Sequence, residues 1–286
     1  MTRRNNEKIT KNILMIIALS AVSALFLITG FIFAEGLPVI FKAGIFNFIC
    51  GIKWAPTKGS FGILPMIIGS FEVMFGAMLF SVPLALLCAI YLSEFASARA
   101  RNILKPAIEV LAGIPSVVYG FIGMQVIVPF IRNYIGGSGF SVLGCSIVLA
   151  IMVLPTITSI AFDAIKAVPM SYRAGSLALG ATKWQTIKMV VVPAARSGII
   201  AAIILGMGRA IGETMAVIMI AGNSLIIPVS PLDPVRTLTS NIALEMGYAS
   251  GDHRQALFAT GVILFVIIMF LNTFANFIIN RAVAKK

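Results

Sequence analysis

Six long apolar stretches, separated by shorter polar segments, dominate the pattern of hydrophobic and polar positions along the chain. A run of about 18 apolar residues is long enough to cross the hydrocarbon core of a bilayer as a helix. Runs of this length lie near 13–34, 64–92, 107–130, 142–162, 198–221 and 256–279. The pattern therefore predicts an all-α integral membrane protein with six transmembrane helices.

The composition agrees with this prediction. Apolar residues make up 59% of the chain and charged residues 11%, whereas about a quarter of the residues in a soluble domain are charged. The first apolar run exceeds the roughly 7 to 15 residues of a signal-peptide core, and no small-residue cleavage site follows it, so we expect it to be retained. We divide the chain into an N-terminal tail, 1–12, and one six-span domain, 13–286.

Basic residues are unequally distributed between the two sides of the predicted bundle. One side, called the basic side below, carries fifteen of the 22 Lys and Arg residues; the opposite side carries six, and Arg209 lies within the fifth run. The basic side comprises both termini, the segment between the second and third runs, and segment 163–196. Loops rich in Lys and Arg usually face the cytoplasm, which predicts cytoplasmic termini and explains the net charge without nucleic-acid binding.

Several kinds of chemistry lack support in the sequence. Cys50, Cys88 and Cys145 show no metal-ligand or disulfide spacing. No G-x-x-x-x-G-K-[ST] motif occurs, so any ATP hydrolysis is expected on another chain. No histidine accompanies an intramembrane serine or acid, which argues against a catalytic set. We expect no catalytic residue, no metal site and no cofactor bound by this chain.

Two long connections lie on the opposite side. Segment 35–63 has a loop-like composition and is expected to fold over the mouth of the bundle. Segment 222–255 contains three prolines and then a short predicted helix within 237–248. The only histidine, His253, is expected at a solvated, charged loop tip, with contact to a binding protein as the alternative reading.

The long segment on the basic side, 163–196, is the most informative loop. It has about 34 residues, whereas connections between packed helices usually have roughly 2 to 8. Pro169 and Ser171 predict a helix start, and Gly180 predicts its end. A second, amphipathic helix is predicted within 182–192, with apolar positions at Trp184, Ile187 and Val191. Two such helices would provide either a docking surface for a partner or only an interfacial anchor.

Arg209 and Glu213 are the strongest candidates for substrate contact. A charge near the bilayer centre costs at least about 2.5 to 3.5 kcal/mol, so such residues usually face a cavity or each other. Their spacing of four predicts one helical face and pairing distance. Arg209 would bind an oxyanion while Glu213 holds the guanidinium; the alternative is a buried ion pair that tightens a subunit contact.

Three further residues lie at or within the predicted spans. Glu72 is expected to face the pathway or a subunit interface. Pro115-Ser116 interrupts the third run, and Ser116 is a candidate pathway residue, although a simple kink explains the proline equally well. Glu109 is expected near the end of the third span, reaching toward the headgroups.

Four segments carry a family resemblance. Residues 172–187 read YRAGSLALGATKWQTI, and the loop closes with VVVP at 190–193; this resembles the EAA loop of ABC importer membrane subunits. The sequences EVLAGIPSVVYG at 109–120, GMGRAIGETMA at 206–216 and TLTSNIALEMG at 237–247 resemble PstC-type permease subunits of phosphate-specific ABC importers. One departure is Ala174, which stands where the family loop usually has Glu.

The resemblance implies a type I ABC importer permease fold in a bacterial inner membrane. It implies inorganic phosphate as substrate, a PstA-like second permease, two PstB-like ATPase subunits that bind ATP and Mg, and a PstS-like binding protein, with membrane lipid around the bundle. The loop that contacts the ATPase would include Tyr172, Arg173, Ala174, Gly175, Ser176, Gly180, Ala181, Thr182, Lys183 and Trp184. The alternative hypothesis is a stand-alone ion-coupled anion carrier or channel.

Overall fold

The structure, a computed structural model, describes the backbone of residues 2–284 and the side chains of residues 10–274 and Phe277. Its longer helices are α1 (Thr2–Ala43), α3 (Leu64–Ile90), α4 (Ala98–Gly113), α7 (Val142–Lys166), α11 (Arg196–Gly212) and α14 (Gly251–Ala284). The shorter helices are α2 (Ile45–Cys50), α5 (Ser116–Ile122), α6 (Val128–Tyr134), α8 (Met170–Ala178), α9 (Lys183–Thr186), α10 (Val192–Ala194), α12 (Met215–Ile220) and α13 (Leu238–Glu245). The basic positions Lys285 and Lys286 lie outside the described residues.

Irregular helical turns and one small hairpin complete the described fold. Single π-helical segments occur at Tyr91–Phe95, Gly123–Ile127 and Ile187–Val191, and a 3-10 turn at Pro56–Lys58. Strands β1 (Trp54–Ala55) and β2 (Ser60–Phe61) pair antiparallel, with Trp54 opposite Phe61. The regular secondary structure of the described residues is therefore helical apart from this hairpin and an isolated β-bridge between Gly222 and Val235.

The six-span prediction is confirmed. Five helical segments are long and apolar enough to cross a membrane: Thr10–Ala43, Leu64–Phe95, Ser116–Tyr134, Val142–Lys166 and Gly251–Phe274. A sixth forms when Lys183–Ala194 and Arg196–Gly212, which meet at an angle of 68°, are taken as one bent span. The chain is a multi-pass membrane protein.

The predicted start of the third span is wrong. Residues 98–113 form the separate amphipathic helix α4, and the span begins only at Ser116. The residue before a proline is disfavoured in helical conformation because the proline ring clashes with its backbone. Ile114 accordingly adopts an extended conformation (φ −68°, ψ 130°), so Pro115 ends the helix rather than kinking it. Pro83 and Pro155, by contrast, lie inside continuous helices.

The predicted continuous fifth span is also wrong. Helix α11 ends at Gly212, and Glu213 is extended (φ −70°, ψ 133°) before α12 begins at Met215. The second loop helix, predicted within 182–192, continues to Ala194 and then bends into α11. The predicted fifth span, 198–221, therefore consists of α11 and α12 with a break at Glu213 and Thr214.

The first helix extends further than predicted. Helix α1 continues to Ala43 and so takes up the first residues of segment 35–63. Helix α2 and the hairpin occupy much of the remainder, so only part of this segment is a loop. Glycine at position 36 allows α1 to approach α14 closely, because a side chain there would meet the backbone of Ala259 at 2.8 Å. Helix α1 therefore packs closely against α14 at this position.

Two hydrophobic cores organise the bundle. The larger core lies among α3, α7, α11 and α12, where α7 contributes many fully buried side chains. The smaller core joins the end of α1, α2, Trp54, Leu238 and the start of α14. Many other large apolar side chains are exposed, and no residue in the most apolar 18-residue stretch of the first span is buried. A bilayer or a partner subunit would cover such surfaces.

Candidate functional site

The break in the fifth span is the centre of the candidate site. Backbone groups that lose helical partners inside a membrane require other hydrogen bonds. The Thr239 hydroxyl donates to the Glu213 carbonyl oxygen at 2.8 Å, and the Thr214 hydroxyl donates to the Gly212 carbonyl oxygen at 3.3 Å. Thr239 belongs to α13, so this short helix stabilises the broken conformation from outside the span.

Arg209 and Glu213 do not pair, and the prediction that they share a helical face at pairing distance is wrong. Among the described residues no salt bridge joins them; the Arg209 Nη1 group donates instead to Thr156 Oγ1 on α7 at 2.9 Å. The Glu213 carboxylate accepts from the backbone N–H of Ala216 at 3.4 Å. The physical reason is the end of α11 at Gly212, which redirects the chain before Glu213.

Each of these two charges lies at the helix end that favours it. Arg209 occupies the last turn of α11, near the negative end of the helix dipole, and Glu213 precedes the first turn of α12, near the positive end. Such placements stabilise a charge by about 0.3 to 1 kcal/mol when exposed and more when partly buried. Both side chains are half-buried, so the break explains how they coexist in the membrane without forming an ion pair.

Most N–H donors of the Arg209 guanidinium have no acceptor among the described residues. A guanidinium offers several N–H donors in a planar fork, and within the described part of the chain only the bond to Thr156 occupies one. Arg209 therefore retains donors that an oxyanion could use.

Ser116 lies near this break, whereas Glu72 lines a separate groove. Ser116 is the first residue of α5, which packs against α12, and it is half-exposed. The Tyr119 hydroxyl on α5 donates back to the Leu111 carbonyl oxygen at 2.8 Å and so bridges the interruption at Pro115. Glu72 borders a groove of about 620 Å³ between α3, α7 and residues 229–231; Arg209 and Glu213 do not line it.

A charged cluster on the opposite side was missed by sequence reasoning. Glu245 Oε1 accepts from Arg236 Nη1 at 2.7 Å, and Glu245 Oε2 lies 2.8 Å from both Trp54 Nε1 and His253 Nε2. Because a carboxylate only accepts hydrogen bonds, His253 Nε2 carries the donating proton. The His253 side chain is 18% exposed, so the predicted solvated tip is wrong. The sequence did not indicate that Arg236 and Glu245 form a cluster, because its member Trp54 lies 191 residues from Glu245 in the chain.

The carboxylate of Asp233, also on the opposite side, accepts hydrogen bonds from its own loop. The backbone N–H groups of Val229 and Ser230 each donate to Asp233 Oδ2 at 2.9 Å. These two hydrogen bonds lower the pKa of the Asp233 carboxyl below its usual value, because they favour the ionised form.

The basic-side loop contains the two predicted helices. Helix α8 follows Pro169, and α9 begins after Thr182, whose hydroxyl accepts from the Gln185 backbone N–H in a capping box. Gly180 adopts a φ of +82°, which L residues with side chains rarely do. It therefore allows the sharp turn between the helices. Trp184 was expected on the buried face but is 55% exposed, whereas Ile187 and Val191 are buried.

The loop residues divide into exposed and anchored groups. Tyr172, Ala174, Gly175, Gly180, Thr182, Lys183 and Trp184 are exposed, whereas Arg173, Ser176 and Ala181 are partly buried. The Ser176 and Thr186 hydroxyl oxygens lie 3.0 Å apart and connect α8 to α9. Arg173 forms a salt bridge with Glu94 at 2.7 Å, which sequence reasoning also missed.

Glu109 does not lie in the third span. It is on α4, its side chain is 55% exposed, and its carboxylate is 3.9 Å from Lys105 Nζ. The same lysine lies 3.2 Å from Asp163 at the end of α7. Glu109 is therefore a surface residue of an amphipathic helix, because Pro115 moves the start of the span beyond it.

Comparison with known proteins identifies the family. The family described as "Binding-protein-dependent transport system inner membrane component" matches residues 81–285, a range that includes the broken span, α13 and both loop helices. The chain belongs to this family. Members of the binding-protein-dependent transport family are permease components rather than enzymes, so this chain is a transport subunit.

Individual relatives within the family cover most of the chain. A probable ABC transporter permease protein, YqgH, of Bacillus subtilis (strain 168) is 44% identical over 87% of this chain and 83% of its own length. The phosphate transport system permease protein PstC of Xylella fastidiosa (strain 9a5c) is 37% identical over 82% of this chain and 77% of its own length.

Solved structures confirm the type I ABC importer permease fold. A chain of a bacterial ABC transporter involved in alginate import aligns over 97% of this chain and 99% of its own length, with a TM-score of 0.67 at 17% identity. A chain of the MetNI methionine ABC transporter in an inward-facing conformation aligns over 77% and 94%, with a TM-score of 0.57 at 18% identity.

Proposed function

We propose that this chain is the membrane-spanning permease subunit of an ATP-driven importer of inorganic phosphate. It forms half of the translocation pathway and obtains its energy from a separate ATPase that binds ATP and Mg. The relatives named as phosphate transport permeases support the choice of substrate. The structural observation that carries the proposal is Arg209, an intramembrane guanidinium with most of its donors unoccupied at the break of the fifth span.

Phosphate fits the chemistry of this position. A guanidinium can donate two parallel hydrogen bonds to an oxyanion, and such charge-assisted bonds are stronger than neutral ones. Thr156 fixes one edge of the guanidinium, and Glu213 lies beyond the end of α11, where it disfavours permanent retention of an anion. In this proposal Arg209 binds phosphate during passage, Glu213 weakens that binding, and Ser116 and Glu72 are secondary candidates along the pathway.

The basic-side loop is proposed as the ATPase docking surface. Large apolar side chains of α8, α9 and the turn between them project into solvent: Met170 is 75% exposed, Leu179 90% and Trp184 55%. Exposed apolar clusters of this kind mark interaction sites. This assignment places the basic side and both termini in the cytoplasm, in agreement with the positive-inside rule.

The remaining partners follow from the incomplete pathway of a single chain. We propose a homologous PstA-like permease as heterodimer partner, two PstB-like ATPase subunits below the loops, and a PstS-like binding protein on the opposite side. Lipid covers the apolar surfaces that the partner permease leaves free.

Reconstitution tests this proposal. We expect proteoliposomes that contain this chain, the second permease, the ATPase and the binding protein to accumulate phosphate only with ATP and Mg on the ATPase side. Co-purification from the native membrane should recover the ATPase and the second permease with the chain. Phosphate movement by the purified chain alone, driven by an ion gradient, would instead establish the stand-alone carrier.

A further inference from the structure

A partly buried ion pair connects the basic-side loop to the end of the second span. Arg173 on α8 donates to Glu94 Oε1 from Nη2 at 2.7 Å and from Nε at 3.3 Å. The two side chains are 13% and 10% exposed. Buried pairs are weak net stabilisers compared with apolar residues of similar volume, so stability alone does not account for this pair.

The same guanidinium also binds the end of the fourth span. Arg173 Nη1 donates to the Val168 carbonyl oxygen at 2.6 Å, and Nη2 donates to the Ile165 carbonyl oxygen at 3.0 Å. These carbonyl groups lie at and just beyond the C-terminal end of α7, where α-helical partners run out; besides Arg173, Ile165 accepts a bond of 3.3 Å from the Val168 N–H. One side chain therefore links α8 to the ends of both the second and the fourth spans.

The segment that carries Glu94 also contacts the second loop helix. Glu94 and Phe95 belong to the π-helical turn that ends the second span, and Lys183 Nζ of α9 lies 4.7 Å from the centre of the Phe95 ring. π-helical turns often occur at functional positions. A cavity of about 670 Å³ borders Glu94, Arg173 and Lys183, so the loop and the span meet there through side chains rather than close backbone packing.

We propose that Glu94 and Arg173 form a coupling pair that transmits displacement of the loop helices to the second and fourth spans. This inference rests on the proposed function, in which an ATPase moves α8. A planar guanidinium held by a carboxylate and two carbonyl groups is rigid, so displacement of α8 displaces both span ends together. Without the carboxylate, α8 follows the ATPase while the second span lags. Both residues are positioning residues, because neither contacts substrate in this proposal.

The decisive experiment measures ATP hydrolysed per phosphate imported by the reconstituted complex. Glu94→Gln preserves the size of the side chain but removes its charge. We expect this ratio to rise about fivefold or more, the lower range of typical coupling between sites, while the ATPase remains attached to the permease. Arg173→Lys, which keeps the charge but loses the planar fork, should give an intermediate ratio. Glu109→Gln, which disrupts an exposed contact of 3.9 Å on α4, is the matched control and should leave the ratio unchanged.

Each outcome decides the inference. A wild-type ratio in Glu94→Gln would overturn it while leaving the proposed function intact. Loss of the ATPase from both variants would also overturn it, because the pair would then maintain the docking surface instead of transmitting movement. A wild-type chain that never binds an ATPase would refute the proposed function itself, and that result is visible before any variant is made.

Discussion

Two arginines, Arg209 and Arg236, occupy contrasting environments in this molecule. Arg236 donates to the Asn223 carbonyl, the Asn241 side chain and the Glu245 carboxylate, and its side chain is 15% exposed. Arg209 donates to a single hydroxyl within the described residues. The protein satisfies one guanidinium and leaves most of the other available. The comparison indicates that Arg236 maintains the architecture of the opposite side, whereas Arg209 is available to bind an anion.

The largest effect is expected at the satisfied arginine. Arg236→Ala leaves Glu245 buried with only Trp54 and His253 as partners. Removing one member of a buried pair costs about 3 to 5 kcal/mol, and the remaining contacts favour the lower value. Thermal unfolding of the purified chain in detergent measures this loss. An unchanged unfolding temperature would refute the structural role of Arg236.

Substitution of Arg209 should impair transport rather than stability. Arg209→Ala should reduce phosphate uptake at least about tenfold, because a hydrogen bond to a charged group contributes about 1.5 to 3 kcal/mol. Assembly and thermal unfolding should change little. Uptake by reconstituted complexes is the measurement, and Arg209→Lys should retain part of the activity. Normal uptake by Arg209→Ala would refute the anion-binding role.

A smaller effect is expected at Thr156, which orients Arg209. Thr156→Val removes one hydrogen-bond partner of the charged guanidinium, and such a bond contributes about 1.5 to 3 kcal/mol. Phosphate binding loses only part of this, because Arg209 itself remains. We therefore expect the phosphate concentration at half-maximal uptake to rise, with assembly unaffected. Thr158→Val is the matched control on the same helix, because Thr158 bonds to the Ala85 carbonyl oxygen at 3.5 Å and does not contact Arg209. Equal shifts in both variants would contradict the orienting role.

The smallest effect concerns Asp233, a second satisfied charge on the opposite side. Its folded-state pKa is lowered by the N–H groups of Val229 and Ser230, so its contribution to loop stability is present above its ordinary pKa of about 3.9. That contribution is lost as the pH falls through the lowered folded-state value. Hydrogen exchange at Val229 and Ser230, corrected for intrinsic rates, should show protection at neutral pH and loss in strong acid. Asp233→Asn should show reduced protection already at neutral pH; equal protection would rule out the charge as its cause.

Features that depend on nearby residues could be predicted from the sequence. The number of spans follows from the lengths of the apolar runs, because each must match the bilayer thickness. Helices α8, α9 and α13 follow from local signals: Pro169 and Gly180 delimit α8, and the caps at Thr182 and Thr237 start the other two. Arg209 could be singled out because an intramembrane charge is costly wherever it lies.

The arrangement of the site depended on contacts between distant parts of the chain. A spacing of four implies pairing only if the helix continues. Helix α11 ends at Gly212, and the Glu213 carbonyl beyond it accepts from Thr239, 26 residues away. His253 appeared solvent-exposed until tertiary packing placed Glu245 and Trp54 around it. Residue types and run lengths thus determined the fold class and singled out Arg209. Tertiary structure decided which charged side chains have hydrogen-bond partners, because those partners come from whichever elements the packing brings together.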